Sequence, residues 1–417
     1  MAEEAQDTQL DPETLEWHLE PSWATEGQTF YLHTKDGGFA ILQMVYSSMS
    51  MSPSVQISAA YHAPDGTKKR STFSHSAIHF VLSDDRRSAT CQQMSIKFNP
   101  SDLSYKVKYD ASPAMLYEFD FVPVDGGFQM GDGGTSFSSA ENSGYVSARF
   151  IPKAKLTGSI TYDDKSEAIA LDGGHGLLVH AVQMNPHHVA RWNFGDLQSE
   201  KDGLVFYQFE LPEDNTDYEV GRVATGAVIR NHKLVGVTLD GAVRQVERTM
   251  DDEYGYNIPT KTVVALTGKT ENGEDITVDL TLSPTNSIDK IDLLSELPWI
   301  IRTFVQTFLT KPIVYQWLQD AKAEVSVGKD KFTIQGKIFY EVVLMAEIPS
   351  LWTGMELNGM EWVIPASCMF QPCSYSWLNT KDTRVPQCDF ASPASDPGIP
   401  IEASLPTTRY IAHNFTS

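Results

Sequence analysis

Short runs in which apolar and polar residues alternate recur along most of the chain, with turn residues between them. Thr29–His33 stops at Lys35-Asp-Gly-Gly38, a strong reversal signal, and Phe39–Tyr46 resumes as a second alternating run. Val55–Tyr61 ends at Pro64-Asp-Gly66, where proline presets one turn dihedral and glycine supplies the other. Further runs lie at Ser95–Asn99, Ser104–Tyr109, Leu116–Val122, Leu156–Tyr162, Leu177–Gln183, Leu204–Glu210 and Gly226–Asn231. Others follow at Val235–Leu239, Thr262–Thr267, Ile276–Leu282, Lys331–Gln335 and Lys337–Met345. The two-residue period predicts strands, and a spacing of about ten residues predicts an all-β barrel or sandwich.

One segment departs from that period. Ser287–Leu297 opens with a capping serine and an acidic first turn, then meets Pro298. Trp299–Leu309 sets Ile300, Ile301, Phe304, Val305, Phe308 and Leu309 on one helical face. The expectation is one amphipathic helix that flanks or plugs a barrel. The polar stretch Leu211–Asp217 is the candidate boundary between two β domains, at 25–210 and 211–350. An acidic segment, 1–24, precedes them, and an irregular Pro-rich tail, 351–417, follows.

Composition narrows the functions. With 32 basic against 54 acidic residues among 417, the formal net charge is −22. That field repels phosphate backbones and anionic lipid surfaces, so nucleic acid is not an expected partner, nor is stable membrane insertion. The first twenty residues hold seven carboxylates and no Lys or Arg, unlike a secretory or transit signal, and a cytoplasmic location is expected. Cys91 stands alone, while Cys368, Cys373 and Cys388 have no histidine between Phe370 and Ala412 to complete a metal set. No metal and no cofactor is expected. No nucleophile elbow, phosphate loop, zinc helix or dinucleotide glycine pattern occurs.

The densest polar cluster runs from His180 to Phe194. As a strand, Leu177–Gln183 puts Leu178, His180 and Val182 on one face and Val179, Ala181 and Gln183 on the other. After a turn at Asn185-Pro186, Arg191 and Asn193 share one face of a return strand, and Trp192 and Phe194 share the other. Polar groups turned inward are costly unless hydrogen-bonded, so they either lock one another or await a ligand. His187 and His188 are adjacent on extended backbone and point apart, which disfavours a metal pair.

At this cluster the sequence resembles the fungal survival-factor family of lipocalin-like proteins. The residues that carry the likeness are Val179-His180-Ala181 with Gln183, Pro186-His187-His188, Arg191-Trp192-Asn193-Phe194, and Gln198-Ser199. Ile288–Asp292 with Glu296-Leu-Pro298, Thr310–Gln316, and Gln28–Tyr31 with Gly38-Phe39 and Val45–Ser47 add to it, over roughly residues 25–345. The resemblance implies two tandem lipocalin-like barrels and a hydrophobic cavity, in a fold whose housekeeping members resemble ceramide carriers of oxidative-stress survival. The family's membrane-binding helix wants a basic rim, whereas this N-terminus is acidic, with Leu10, Leu15 and Trp17 as its main large apolar residues.

Fungal lipocalin-like folds also serve secondary-metabolite pathways as cofactor-free cyclases, including Diels–Alder and hetero-Diels–Alder enzymes. A pericyclic cyclisation of a polyketide- or terpene-derived substrate is therefore the leading expectation, and a non-enzymatic ceramide carrier is the alternative. Holding reactants in a near-attack geometry needs walls and a few hydrogen bonds rather than a nucleophile. Arg191, His180, Gln183 and His188 are the candidate catalytic donors or acid–base groups. Trp192, Asn193, His187, Tyr46 and Gln43 are the candidate substrate contacts, with Gln43 and Tyr46 on opposite faces of an early strand.

Overall fold

The computed structural model describes residues 10–21, 23–49, 52–130, 135–138, 143–163, 167–184, 191–210, 222–237, 239–293 and 312–345, with two short strands at 375–377 and 386–388. Alternation builds the strands as expected. In Asp275–Leu282 every second residue is buried, and Ser104–Ala111 repeats the pattern. Other strands are buried almost continuously, such as Gly203–Glu210, because both of their faces are covered.

The first sheet begins with β1 (Ala24–His33), β2 (Phe39–Ser47), β3 (Ser54–His62) and β4 (Lys68–Ser76). It continues with β5 (Phe80–Leu82), β6 (Ala89–Cys91), β7 (Met94–Asn99), β8 (Ser104–Ala111) and β9 (Met115–Pro123). The remainder is β10 (Phe128–Gln129), β11 (Thr135–Ser138), β12 (Ser143–Tyr162), β13 (Ile169–Ala170) and β14 (His175–Met184). Its path is β4-β3-β2-β1-β14-β12-β9-β8-β7-β6-β5, with β10, β11 and β13 paired to β12. Gly37, at φ +91°, lets the chain reverse between β1 and β2 where a side chain would strain the backbone.

The second sheet holds β15 (Arg191–Gln198), β16 (Gly203–Glu210), β17 (Arg222–Arg230), β18 (Lys233–Gly236) and β19 (Asp240–Met250). After them come β20 (Asn257–Lys269), β21 (Asp275–Leu282), β22 (Ser287–Asp292), β23 (Ile313–Val327) and β24 (Asp330–Leu344). Its path is β18-β17-β16-β15-β24-β23-β21-β20-β19, with β22 paired to β23. The two sheets share one plan. In each, the first strand pairs with the last, and the open seam falls between the fourth and fifth strands.

Each sheet curls around its own apolar interior, and a third apolar layer lies between the outer faces of the two. In the first interior, Phe30 meets Tyr105, Phe119 and Phe121 at centroid distances of 5.5–5.7 Å. The second interior packs Tyr340 on Trp317 at 5.6 Å and Phe206 beside Gly195. Aromatic rings thus make up much of both interiors.

Three expectations need correction or relocation. Ser287–Asp292 is strand β22, not the start of a helix, because Asp289 is drawn into an ion pair with Lys68 and Arg70 of β4. The apolar face at 300–309 lies outside the described residues. Arg191–Glu210 belongs to the second sheet, since β15 pairs with β24 and β16 with β17, so the sheets change between 184 and 191 rather than at 210/211. Met1–Ser350 is one compact unit. Leu351–Ser417 is a separate one, in which β25 (Tyr375–Trp377) pairs antiparallel with β26 (Pro386–Cys388).

Candidate functional site

Alternation decides which compartment each candidate side chain reaches. In β14, His180 faces the first interior with Leu178, while Val179, Ala181 and Gln183 face the second sheet. In β15, Arg191 and Asn193 face the second interior, and Trp192 and Phe194 face the first sheet. The expected face-sharing is therefore present, but the expected convergence is not. His180 and Arg191 both point away from the shared wall, into different interiors.

Tyr46 joins His180 in the first interior, where its ring lies 6.0 Å from that of Phe80. Arg191 forms a two-nitrogen pair with Glu210 at 2.6 and 2.9 Å. Asn193 accepts from Gln245 at 2.9 Å and from the Tyr340 hydroxyl at 3.0 Å. Asn193 Nδ2 and Gln245 Oε1 have no partner there. His187 and His188 lie outside the described residues.

Gln43, Gln183 and Trp192 do come together, in the layer between the sheets. One end of that layer is solid. Phe39 stacks on Phe339 at 4.5 Å, Tyr31 lies 4.9 Å from Phe194, and His33 Nε2 meets Asp196 Oδ2 at 2.9 Å. Lys153 adds bonds to Gln198 and the Ser199 carbonyl, both at 2.8 Å. Toward the other end, Ile41, Gln43, Val179, Ala181, Gln183, Trp192 and Glu341 lie on faces turned to the opposite sheet yet are only half-buried. Side chains pressed sheet to sheet lose all access to solvent, so at these positions the layer keeps an opening to solvent, a crevice.

Glu341 supplies the crevice with its chemistry. It lies in β24 between Phe194 of β15 and Gln316 of β23, so its carboxyl reaches the inter-sheet face. Burial pushes its pKa up to about 7, against hydrogen bonds from Gln316 Nε2, at 2.7 Å, and the Trp192 indole that favour the charged form. Protein surrounds the carboxyl, while the residue as a whole is only half-buried. Nearby Tyr207 bonds to Gln183, and burial lifts its hydroxyl pKa far beyond the neutral range, as it does for Tyr31. Near neutrality the site therefore offers one carboxyl able to donate or accept, two un-ionised phenols and an amide against an apolar wall.

Sequence reasoning passed over Glu341, and also Gln28, Glu26 and Arg149 of the first interior. The signal for Glu341 is a lone polar residue in a run that is otherwise apolar on both faces, Ile338–Leu344. Among the described residues no cluster of His, Cys, Asp or Glu could hold a metal ion.

Residues 1–346 match the sequence profile of the Svf1 family. The chain belongs to that family. Relatives include the ceramide-binding protein svf1 of Aspergillus fumigatus, 23% identical over 376 residues, which covers 83% of this chain and 93% of the relative. The ceramide-binding protein SVF1 of Yarrowia lipolytica is 27% identical over 361 residues, covering 80% and 89%. Among solved structures, CghA with Sch210972 superimposes with a TM-score of 0.53 at 11% identity, covering 78% of this chain and 89% of that one. Kievitone hydratase from Nectria haematococca gives 0.50 at 12% identity, covering 82% and 94%. At such identities these two structures establish the fold alone, and the fold is lipocalin-like.

Proposed function

We propose that this Svf1-family chain is a cytosolic carrier that binds a ceramide-like lipid in the crevice between its two sheets. The observation that carries the proposal is the half-buried state of Ile41, Val179, Ala181 and Trp192 on faces turned toward the opposite sheet. An apolar wall that is neither packed nor freely exposed is suited to alkyl chains. Glu341, Gln183 and Tyr207 give polar anchors for the hydroxyls and amide of a sphingolipid head, and the relatives named for ceramide binding support that head group. Below pH 7 the carboxyl is neutral, so it bonds an uncharged ligand without stranding a charge.

The test fills the crevice. Ala181→Trp should weaken binding of a short-chain fluorescent ceramide at least tenfold while the melting temperature stays within a few degrees of wild type. Unchanged affinity with a tryptophan at this position would sink the proposal.

A second reading is favoured by Glu341 itself. A carboxyl that keeps its proton near neutrality, beside an aromatic wall, can polarise a carbonyl for a cofactor-free cyclisation of a polyketide- or terpene-derived substrate. In that case Glu341→Ala should abolish rate enhancement and stereochemical bias with a polyketide-derived triene. Product ratios identical to the uncatalysed reaction in the wild type would remove this reading.

A further inference from the structure

The first interior contains a polar row that no protein neighbour completes. Gln28, His180 and Arg149 are paired across β1, β14 and β12, and their side chains share the inner face. Gln28 is fully enclosed, yet neither its amide nitrogen nor its amide oxygen has a partner. Arg149 leaves Nε and Nη1 unpaired, and His180 leaves Nδ1. The Trp17 ring lies 5.1 Å from that of His180, and its buried indole N–H is unpaired as well. Six unpaired atoms on four adjacent side chains are far from the native norm, in which nearly every buried polar group is satisfied.

The rest of the neighbourhood is fully bonded and sets the charge. Burial raises the Glu26 pKa, but its bond from His180 Nε2 at 2.9 Å and those from the His18 and Leu19 backbone N–H groups outweigh this and hold it low. Burial holds the His180 pKa low despite the neighbouring Glu26, so the ring is neutral and its Nδ1 is an acceptor. The Arg149 pKa is depressed by burial, but it remains a cation with Tyr145 as one partner. Glu26 and Arg149 therefore cancel, and a charged guest would leave an uncompensated buried charge.

We propose that this row is a second binding site, which takes a neutral ligand with a carbonyl oxygen beside a hydroxyl. The carbonyl accepts from Arg149 and Trp17, and the hydroxyl donates to His180 Nδ1 or Gln28 Oε1. The site faces away from the crevice and does not depend on the reading given to it. Residues 10–19 form a strap over it, with Leu10, Leu15 and Trp17 buried. Glu26 fastens the strap from below, while Arg86 donates to the carbonyls of Trp17 and His18 at 2.7 and 2.8 Å.

The experiment titrates the intact protein, labelled with 15N-tryptophan, with N-hexanoylethanolamine, using hexanoate as the anionic comparison. The Trp17 indole resonance, identified by its loss in Trp17→Phe, should move to saturation with the ethanolamide and stay still with hexanoate. Gln28→Leu should weaken ethanolamide binding at least tenfold while raising the melting temperature, and Ala181→Trp should leave this binding intact. A Trp17 signal unmoved by the ethanolamide would show that internal water alone fills the row, equal affinity in Gln28→Leu would place the ligand away from it, and either result would overturn the proposal. Binding of hexanoate in place of the ethanolamide would overturn the charge argument and the proposal with it.

Discussion

The two interiors answer the same problem in opposite ways. Both carry polar side chains at one end of an apolar core. In the second, Gln208 exchanges two bonds with the Val243 backbone at 2.7 and 2.8 Å, and Asn193 links Gln245 to Tyr340, which in turn meets Thr262. Every one of those side chains has a protein partner, although Asn193 Nδ2 and Gln245 Oε1 are left unpaired. In the first, Gln28 has none and Arg149 is left half-satisfied. A more fully bonded network gives rigidity, while a less bonded one holds affinity in reserve at the expense of stability. The same sheet plan, used twice, thus gives one half whose polar side chains are mostly bonded and one half with a row of unpaired polar atoms.

The contrast yields a ranked series of tests. The largest change is expected from Asn193→Leu, which removes the acceptor shared by Gln245 and Tyr340 and leaves Tyr340 its contact with Thr262. Unfolding in urea should show a loss of about 3 kcal/mol, and a loss under about 1 kcal/mol would mean that this shared acceptor does not hold the second network together.

Next comes Glu341→Gln in the crevice. The folded protein keeps this proton up to about pH 7, whereas the unfolded chain releases it near the ordinary carboxyl value of 4.5. Between those limits the folded state binds more protons, so wild-type stability falls as pH rises through the window. The variant does not titrate. Its advantage should grow from nothing near pH 4.5 to about 2 kcal/mol at pH 8, less than the full shift implies because the residue is only half-buried and solvent screens it. A pH-independent difference between the two proteins would contradict the shift.

A smaller effect of opposite character to Asn193→Leu is expected from Gln28→Leu. Replacing an unpaired amide by a hydrocarbon of similar size should add about 1 kcal/mol, read as a rise in melting temperature. A loss of that size would show that Gln28 is satisfied after all. The smallest effect belongs to the exposed pair Lys322–Glu324, at 2.6 Å. Lys322→Ala should change stability by less than about 0.5 kcal/mol, which sets the noise floor for the series.

The sequence disclosed the strands and their faces because a two-residue period is written locally, and the partition of His180 from Gln183, and of Arg191 from Trp192, follows from it. It did not disclose which face of each strand is shared with the other sheet. A strand buried on both sides reads the same whichever interior claims its inner face, so His180 and Arg191 looked like neighbours. Lys68–Ser76 escaped notice because its edge position leaves it polar, and β22 because a serine followed by carboxylates also reads as a helix cap. Glu341 and Arg149 were hidden for another reason. A single charge in a strand normally marks a solvent face, and only the packing of a second sheet or of a strap reveals it as interior.

The strand Leu177–Gln183 lines two compartments at once, with His180 on one side and Val179, Ala181 and Gln183 on the other. Point substitutions can therefore retune either lining alone. Loss or gain of a single residue would exchange the linings wholesale, turning the imidazole outward and the greasy positions inward. Divergence along this strand is confined to replacement, and the length between its flanking turns is the quantity that drift cannot touch.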